Sequence, residues 1–391
     1  MNKYLAAGLA RVIYKAEKGR HGSESSQGTP QKILVLRTDA IGDMVCTTPF
    51  LRELRRNLPG AFITLICDPG VYNLVELCPY VDEILTFKPP AGFRAALKAC
   101  RAFAKRQLSS KNYDLALYLP YAAPEYFAAW LSFFSGAKRR LAYAEGVCIH
   151  KQRAYVGAKD IYYTELLHND DRTIRHETES ALHFLSCLQM TASDDAYEIW
   201  TDEADARRVE ELLAEEKIDL QARNIVVNLS SSEKNKDWPV ENFVHVCKEL
   251  GRQYGASFIL IGAGATAREY SREFCRELPE TRDLTDKTTI RQTYLVLKKL
   301  GIYLGVDTGP LHLAAAAGCR GVGVYSAPRD NPDPPENSTI WFAPRHCGIR
   351  IVQPEHLLPG CHNKCTRPYA HCIKQVPAGE VLKVMEGILN A

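Results

Sequence analysis

Two doubly wound α/β domains are the fold this sequence predicts, and three observations predict it. Short apolar runs recur at 33–36, 62–67, 81–87 and 115–119, separated by helical stretches too long for hairpins, the pattern of strands buried on both faces of a parallel sheet. The pattern restarts at 224–229 (NIVVNL) and repeats the architecture of the first half. A length of 391 residues exceeds one ordinary core and suits two. The expected division is an amphipathic extension and linker over 1–31, a first Rossmann-like domain over 32–200, and a second over 201–391 that ends in a cysteine-rich tail.

Composition narrows the function classes. With 46% hydrophobic and 24% charged residues the chain is globular, and no apolar run approaches the length needed to cross a bilayer. A net charge of +3 is too small for a nucleic-acid binder, yet it does not oppose an anionic lipid or substrate. Thirteen cysteines without a signal peptide point to the reduced cytoplasm.

Residues 1–20 place Leu5, Leu9, Val12 and Ile13 on one helical face, with Lys3, Arg11, Lys15, Lys18 and Arg20 mostly off it. Such a basic amphipathic helix either docks on the first domain or lies on a membrane surface. His21–Gln31 is a polar linker.

The first strand leads into KILVLRTDAIGDMVCTTP at 32–49, where an apolar run breaks into a polar turn and then a helix. Pro49 is expected in the first helical turn. The loop Arg37–Asp43 then sits at the carboxyl end of the first strand, where open α/β sheets put their ligands. Asp43 is the candidate for chemistry; the alternative is that Asp43 or Asp39 only caps the helix. Residues 136–175, rich in Lys, Arg, His and Tyr, show no regular pattern and offer a place for a polar or anionic partner. Helices are expected at 176–190 and 202–216. The DEAD tetrapeptide at 202–205 is a coincidence, because no GxxxxGK[ST] phosphate loop accompanies it.

In the second half, the strand at 225–229 runs into SSSEKNKDWP at 230–239, whose hydroxyls, amides and lysines suit a phosphate. FILIGAGATA at 258–267 fits a dinucleotide fingerprint through Gly262, Gly264 and Ala267, but it does not follow the first strand of its domain. In YLGVDTGPLHLAAAAG at 303–318 a strand ends in Asp307, Thr308 and Gly309, and Pro310 opens a helix. Asp307 or Thr308 is expected to cap that helix, whose first-turn amides would face an anion. In the tail, Cys347, Cys361, Cys365 and Cys372 are interleaved with His346, His362 and His371; four cysteines suffice for a tetrahedral zinc or iron site, with reduced core thiols as the alternative.

Taken in order, RTDAIGDMVCTTP at 37–49, HETE at 176–179, Lys-x-Trp-Pro at 236–239, LTDKTTI at 284–290, DTGPLHLAAAAG at 307–318 and the closing cysteines resemble glycosyltransferase family 9, best known for ADP-heptose:lipopolysaccharide heptosyltransferases. The resemblance implies a GT-B fold, two Rossmann-like domains facing across a cleft. It also implies inverting transfer of a sugar, heptose from ADP-heptose, to a lipopolysaccharide core or related glycan, a lipid-linked or other glycan acceptor. By the same resemblance Asp43 is the general base, while Lys236, Asp307, Thr308, Gly309 and His312 hold the donor; the strand-end hydroxyls of Ser230 and Ser231, and Thr288 of the LTDKTTI motif, are expected on the donor side with them. No DxD motif is present to bind a divalent ion, so catalysis without metal or cofactor is expected. Protein-modifying relatives with a metal-bound cysteine cluster supply the alternative function, and a dinucleotide-dependent oxidoreductase a more distant one. The expected location is the cytoplasm, peripheral to the inner face of the inner membrane.

Overall fold

The computed structural model describes residues 3–17, 28–121, 126–147, 158–169, 173–331, 338–345, 347–359, 369 and 371–391. The chain divides into two units, Met1–Asp195 and Ala196–Ala391.

The first unit is built on a six-stranded parallel sheet of β1 (Lys32–Arg37), β2 (Phe62–Cys67), β3 (Glu83–Thr86), β4 (Leu115–Tyr118), β5 (Arg139–Tyr143) and β6 (Glu165–Leu167), in the order β3-β2-β1-β4-β5-β6. Crossovers are right-handed, so the connections from β1 to β2 and from β3 to β4, which run opposite ways along the sheet, lie on opposite faces. Helices Ile41–Asn57 and Glu177–Cys187 pack together on one side. On the other, Leu34 and Leu36 of β1 join Cys100 and Ala104 of helix Phe93–Gln107 with Trp130 and Phe133 of helix Tyr126–Phe134.

That second core also takes in the N-terminal helix Lys3–Glu17. Ala10 and Ile13 are buried, the Tyr162 hydroxyl donates to the Ala10 carbonyl at 2.7 Å, and Tyr14 lies against Phe133. Docking is therefore the arrangement the helix adopts, with Gly8, Arg11, Val12 and Lys15 left exposed. Lys18, Arg20 and most of the linker lie outside the described residues.

Two expectations for the first half need correction. Helix Ile41–Asn57 begins early enough that Pro49 lies inside it. Proline has no N–H for the Val45 carbonyl four residues back, and the Thr48 hydroxyl donates to that carbonyl instead, at 2.8 Å. The irregular region 136–175 contains β5 and β6. The arginines that obscured β5 are satisfied locally: Arg139 pairs with Glu165 of β6, and Arg140 is buried, donating to the carbonyls of Tyr162 and Ala137.

The far end of helix Ile41–Asn57 holds the segment that closes the first unit. The Asn57 side chain donates to the Thr191 carbonyl at 2.7 Å and accepts from the Thr191 amide at 3.1 Å. The buried Glu53 carboxylate accepts from the Ser193 amide, and Arg52 pairs with Asp194 at 3.1 Å.

The second unit repeats the plan with β7 (Asn224–Asn228), β8 (Ser257–Ile261), β9 (Arg282–Asp283), β10 (Ile302–Val306), β11 (Arg320–Val324) and β12 (Gly348–Val352), all parallel, in the order β12-β11-β10-β7-β8-β9. Strand order reverses between β1 and β4 in one sheet and between β7 and β10 in the other, and loops diverging at such switch points leave a crevice at the strand ends.

Candidate active site

At the first switch point β1 ends in Arg37, a guanidinium with no exposed side-chain surface. Its Nη1 donates to Glu177 Oε1 at 2.7 Å, and its Nη2 lies 3.2 Å from Asp43 Oδ1 and 3.6 Å from Asp39 Oδ2. Asp43 stands in the first turn of helix Ile41–Asn57, not in the preceding loop. The residue before that helix, Ala40, has no side-chain oxygen to cap with; Asp43 Oδ2 accepts the Ala40 amide at 3.2 Å. Asp43 thus serves the helix start and still keeps 22% of its side chain exposed.

Three carboxylates surround this one arginine. Burial alone would lower the Arg37 pKa, but Glu177, Asp39 and Asp43 outweigh it and hold the guanidinium above its ordinary value. Glu177 is pushed up by burial and by Asp43, against the pull of Arg37 and of a hydrogen bond from the Tyr121 backbone. Tyr121 follows β4, so Glu177 ties together the strand ends on both sides of the switch point.

At the second switch point the Lys236 ammonium sits 3.4 Å from Asp307 Oδ2, beyond the end of β10, and 3.3 Å from Glu233 Oε1. Burial would lower the Lys236 pKa, yet Asp307 and Glu233 raise it, so the lysine is held charged; burial pushes Asp307 up, against Lys236. Trp238 anchors this stretch: it is fully buried, donates Nε1–H to the Val376 carbonyl at 3.1 Å and meets Phe243 edge-on.

Helix Gly309–Ala316 starts beside Asp307 with Pro310 in its first turn, as expected, but neither expected residue caps it. Asp307 is engaged by Lys236, and the Thr308 hydroxyl donates to Asn228 Oδ1 at the end of β7, at 3.0 Å. The helix start therefore lacks a side-chain oxygen of its own, which leaves its positive end available to an anion. Within that helix His312 is buried and meets the Phe342 ring edge-on. Gly323 of β11 makes room for the helix, since a Cβ there would lie 2.9 Å from a Leu311 methyl.

The remaining predicted donor residues separate. Ser230 is half-buried with no hydrogen bond among the described residues, whereas Ser231 shapes the loop, its amide donating to Asp237 and its hydroxyl to the Glu233 carbonyl. Thr288 hydrogen-bonds Thr293 at the start of helix Ile290–Leu300, on the loop after β9, two strands from β7. In the dinucleotide-like turn the place of a pyrophosphate is already filled by a carboxylate of the chain: the Gly264 amide donates to Asp286 Oδ1 at 2.8 Å, and Arg268 pairs with the same side chain.

Cys361 and Cys365 lie outside the described residues. Burial pushes the Cys347 thiol up, and Cys372 is buried with Sγ 3.7 Å from His371 Nδ1. Among the described residues no group of three His, Cys, Asp or Glu could hold a metal ion.

The family model described as "Glycosyltransferase family 9 (heptosyltransferase)" matches residues 101–341, more than half of the chain. The chain belongs to glycosyltransferase family 9. A relative, the lipopolysaccharide core heptosyltransferase OpsX of Haemophilus influenzae, is 21% identical over 76% of this chain and 79% of its own. Among solved structures, a family 9 enzyme from Veillonella parvula superposes with a TM-score of 0.71 at 19% identity, covering 92% of this chain and 97% of that one. The ADP-heptose lipopolysaccharide heptosyltransferase II of E. coli gives 0.67 at 17% identity over 92% and 98%. The fold is thus that of family 9 glycosyltransferases, and the chain is a glycosyltransferase enzyme. Among the described residues no helix is long and apolar enough to cross a membrane.

Sequence reasoning missed the roles of Glu177 and Asn228. Arg37 carried a signal for Glu177: an arginine ending a strand buried on both faces needs a buried carboxylate partner.

Proposed function

We propose that this enzyme transfers heptose from ADP-heptose to a lipopolysaccharide core or related lipid-linked glycan, with inversion and without a catalytic metal. The observation that carries it is the charged Lys236 beside the uncapped start of helix Gly309–Ala316, a cation and a helix terminus of the kind that stabilises a departing diphosphate. Names of relatives supply the sugar and its carrier. Asp43 takes the proton of the acceptor hydroxyl as the sugar's C1–O bond to the diphosphate breaks and the new bond forms on the opposite face. Arg37 fixes one oxygen of that carboxylate and the Ala40 amide the other, so the base is oriented before the acceptor arrives. The Ser230 hydroxyl and the Gly309 amide complete the donor side, with Asp307 aiming the lysine.

Incubating the purified protein with ADP-heptose and a truncated core acceptor should give a product one heptose heavier, of inverted anomeric configuration, and EDTA should leave the rate unchanged. Loss of activity restored by Mg2+ or Mn2+ would overturn the metal-free mechanism. Turnover with other nucleotide sugars but not ADP-heptose would overturn the donor. We also propose that the protein works in the cytoplasm at the inner face of a membrane; metal analysis of the purified protein decides between a structural zinc or iron on the tail cysteines and reduced core thiols, and no step of transfer is routed through such an ion.

A further inference from the structure

We infer that the face of the first unit formed by helix Phe93–Gln107 and the docked N-terminal helix is an electrostatic docking surface for an anionic lipid leaflet. The inference rests on the proposal that the acceptor is lipid-linked.

Helix Phe93–Gln107 contains Arg94, Lys98, Arg101, Lys105 and Arg106 and no acidic residue. Arg94, Lys98, Arg101 and Lys105 recur at helical spacing on one exposed stripe, and like charges three or four residues apart weaken a helix. The stripe is therefore not there to stabilise its own helix. Among the described residues Arg94, Lys98, Lys105 and Arg106 form no ion pair. In the second unit the exposed helical cations are mostly mixed with carboxylates on the same helices: Lys248 pairs with Glu277, Arg252 with Glu249, Arg208 with Glu215 and Lys299 with Glu210, while Arg207, Arg272, Arg276, Lys298 and Lys383 form no ion pair among the described residues.

The same asymmetry holds for whole units. Residues 1–195 contain 25 lysines and arginines against 20 carboxylates, and residues 196–391 contain 24 against 26, so the excess positive charge lies in the unit without the donor group. A diphosphate donor does not account for it.

The surface is continuous. Phe93 packs edge-on against Trp130 and Tyr126, and the Arg101 guanidinium lies over the Phe134 ring, which seats the helix firmly on helix Tyr126–Phe134. The N-terminal helix packs on the same helix through Tyr14 and Phe133, adding exposed Arg11 and Lys15. With Ala10 and Ile13 buried in the protein, Val12 is the large apolar side chain this face exposes among the described residues, and the face binds chiefly through charge.

The test is sedimentation of the full chain with large vesicles of phosphatidylcholine alone, and with phosphatidylglycerol at about a third of the lipid. Wild-type protein should bind only the anionic vesicles, and binding should fade as salt rises. Since each basic residue near the surface contributes about fivefold to partitioning, neutralising Arg94, Lys98, Lys105 and Arg106 together to Gln should lower it by about five-hundredfold. A charge-preserving set, Arg94→Lys, Lys98→Arg, Lys105→Arg and Arg106→Lys, should bind as wild type. Equal binding by the neutralised and wild-type proteins would overturn the inference, as would absence of wild-type binding or equal retention of the protein by duplex DNA at matched salt. Transfer to a soluble truncated acceptor, measured on the same samples, reads the proposed activity separately: it should be unchanged in both sets.

Discussion

The two switch-point sites share a fold and a position within it, yet their polarity is opposite. In the first unit the cation is buried and the anion partly exposed: Arg37 shows none of its side chain, Asp43 shows 22%. In the second the anion is the more buried member, Asp307 at 7% against Lys236 at 16%. On the proposed mechanism the buried member sets charge and orientation, and the more exposed member is the one to meet the substrate. One site therefore offers a negative group able to accept a proton, and the other a positive group able to neutralise a diphosphate. In the mechanism proposed above, the same sheet end would serve acid–base or electrostatic catalysis according to which charge it hides.

Replacing the exposed member of each pair should separate the two roles. Asp43→Asn should lower kcat by about 10²- to 10⁴-fold while the dissociation constant for ADP-heptose, read by calorimetry, stays within error. An Asp43→Asn enzyme that turns over normally would remove Asp43 as the base. Lys236→Met should weaken donor binding by about 10- to 100-fold, the worth of one charged hydrogen bond. It also strands Asp307 as a buried charge and should destabilise the fold by about 3 kcal/mol or more. Adding Asp307→Asn should recover much of the thermal stability but none of the donor affinity; recovery of both would mean the pair is only structural.

The buried members should act indirectly. Glu177→Gln keeps the shape but loosens Arg37, and should reduce kcat by about tenfold at unchanged donor affinity, because a slightly misplaced carboxylate costs rate before it costs binding. An equal loss in donor binding would break the proposed division between the sites.

Much of this was legible in the sequence because parallel strands buried on both faces read as unbroken apolar runs; β1, β2, β4, β7 and β8 announce themselves so. β5 did not, since its Arg139 and Arg140 look like surface residues until their partners, Glu165 and the Tyr162 carbonyl, fold over them. Asp43, Lys236 and Asp307 were visible as polar residues at strand ends. The tie of Glu177 to Arg37 spans 140 residues and follows from topology, not spacing. The cap of helix Gly309–Ala316 was misjudged because Thr308 had a better partner in Asn228, a strand away.

Smaller effects probe the helix that carries Asp43. Thr48→Val should leave the Val45 carbonyl without its donor and cost about 1–2 kcal/mol, lowering Tm by several degrees in a thermal melt, whereas Thr48→Ser should restore most of it. Glu53 gives the smallest effect. Burial would raise its pKa, but the Ser193 amide and hydroxyl and Arg56 outweigh that and hold it below the ordinary glutamate value. The stability it contributes is present above the unfolded glutamate pKa, about 4.3, and is lost as pH falls through the lower folded value. Hydrogen exchange of the Ser193 amide should accelerate across that acidic window relative to neighbouring protected amides, and Glu53→Gln should abolish the pH dependence.

The clamp on residues 191–194 has a mechanical consequence. Helix Ile41–Asn57 is a rod of 17 residues, about 25 Å long, with Asp43 near one end and Arg52, Glu53 and Asn57 gripping the chain at the other. Tension arriving along the chain from Ala196 meets these side-chain bonds first and passes through them into the rod before it reaches helix Glu177–Cys187.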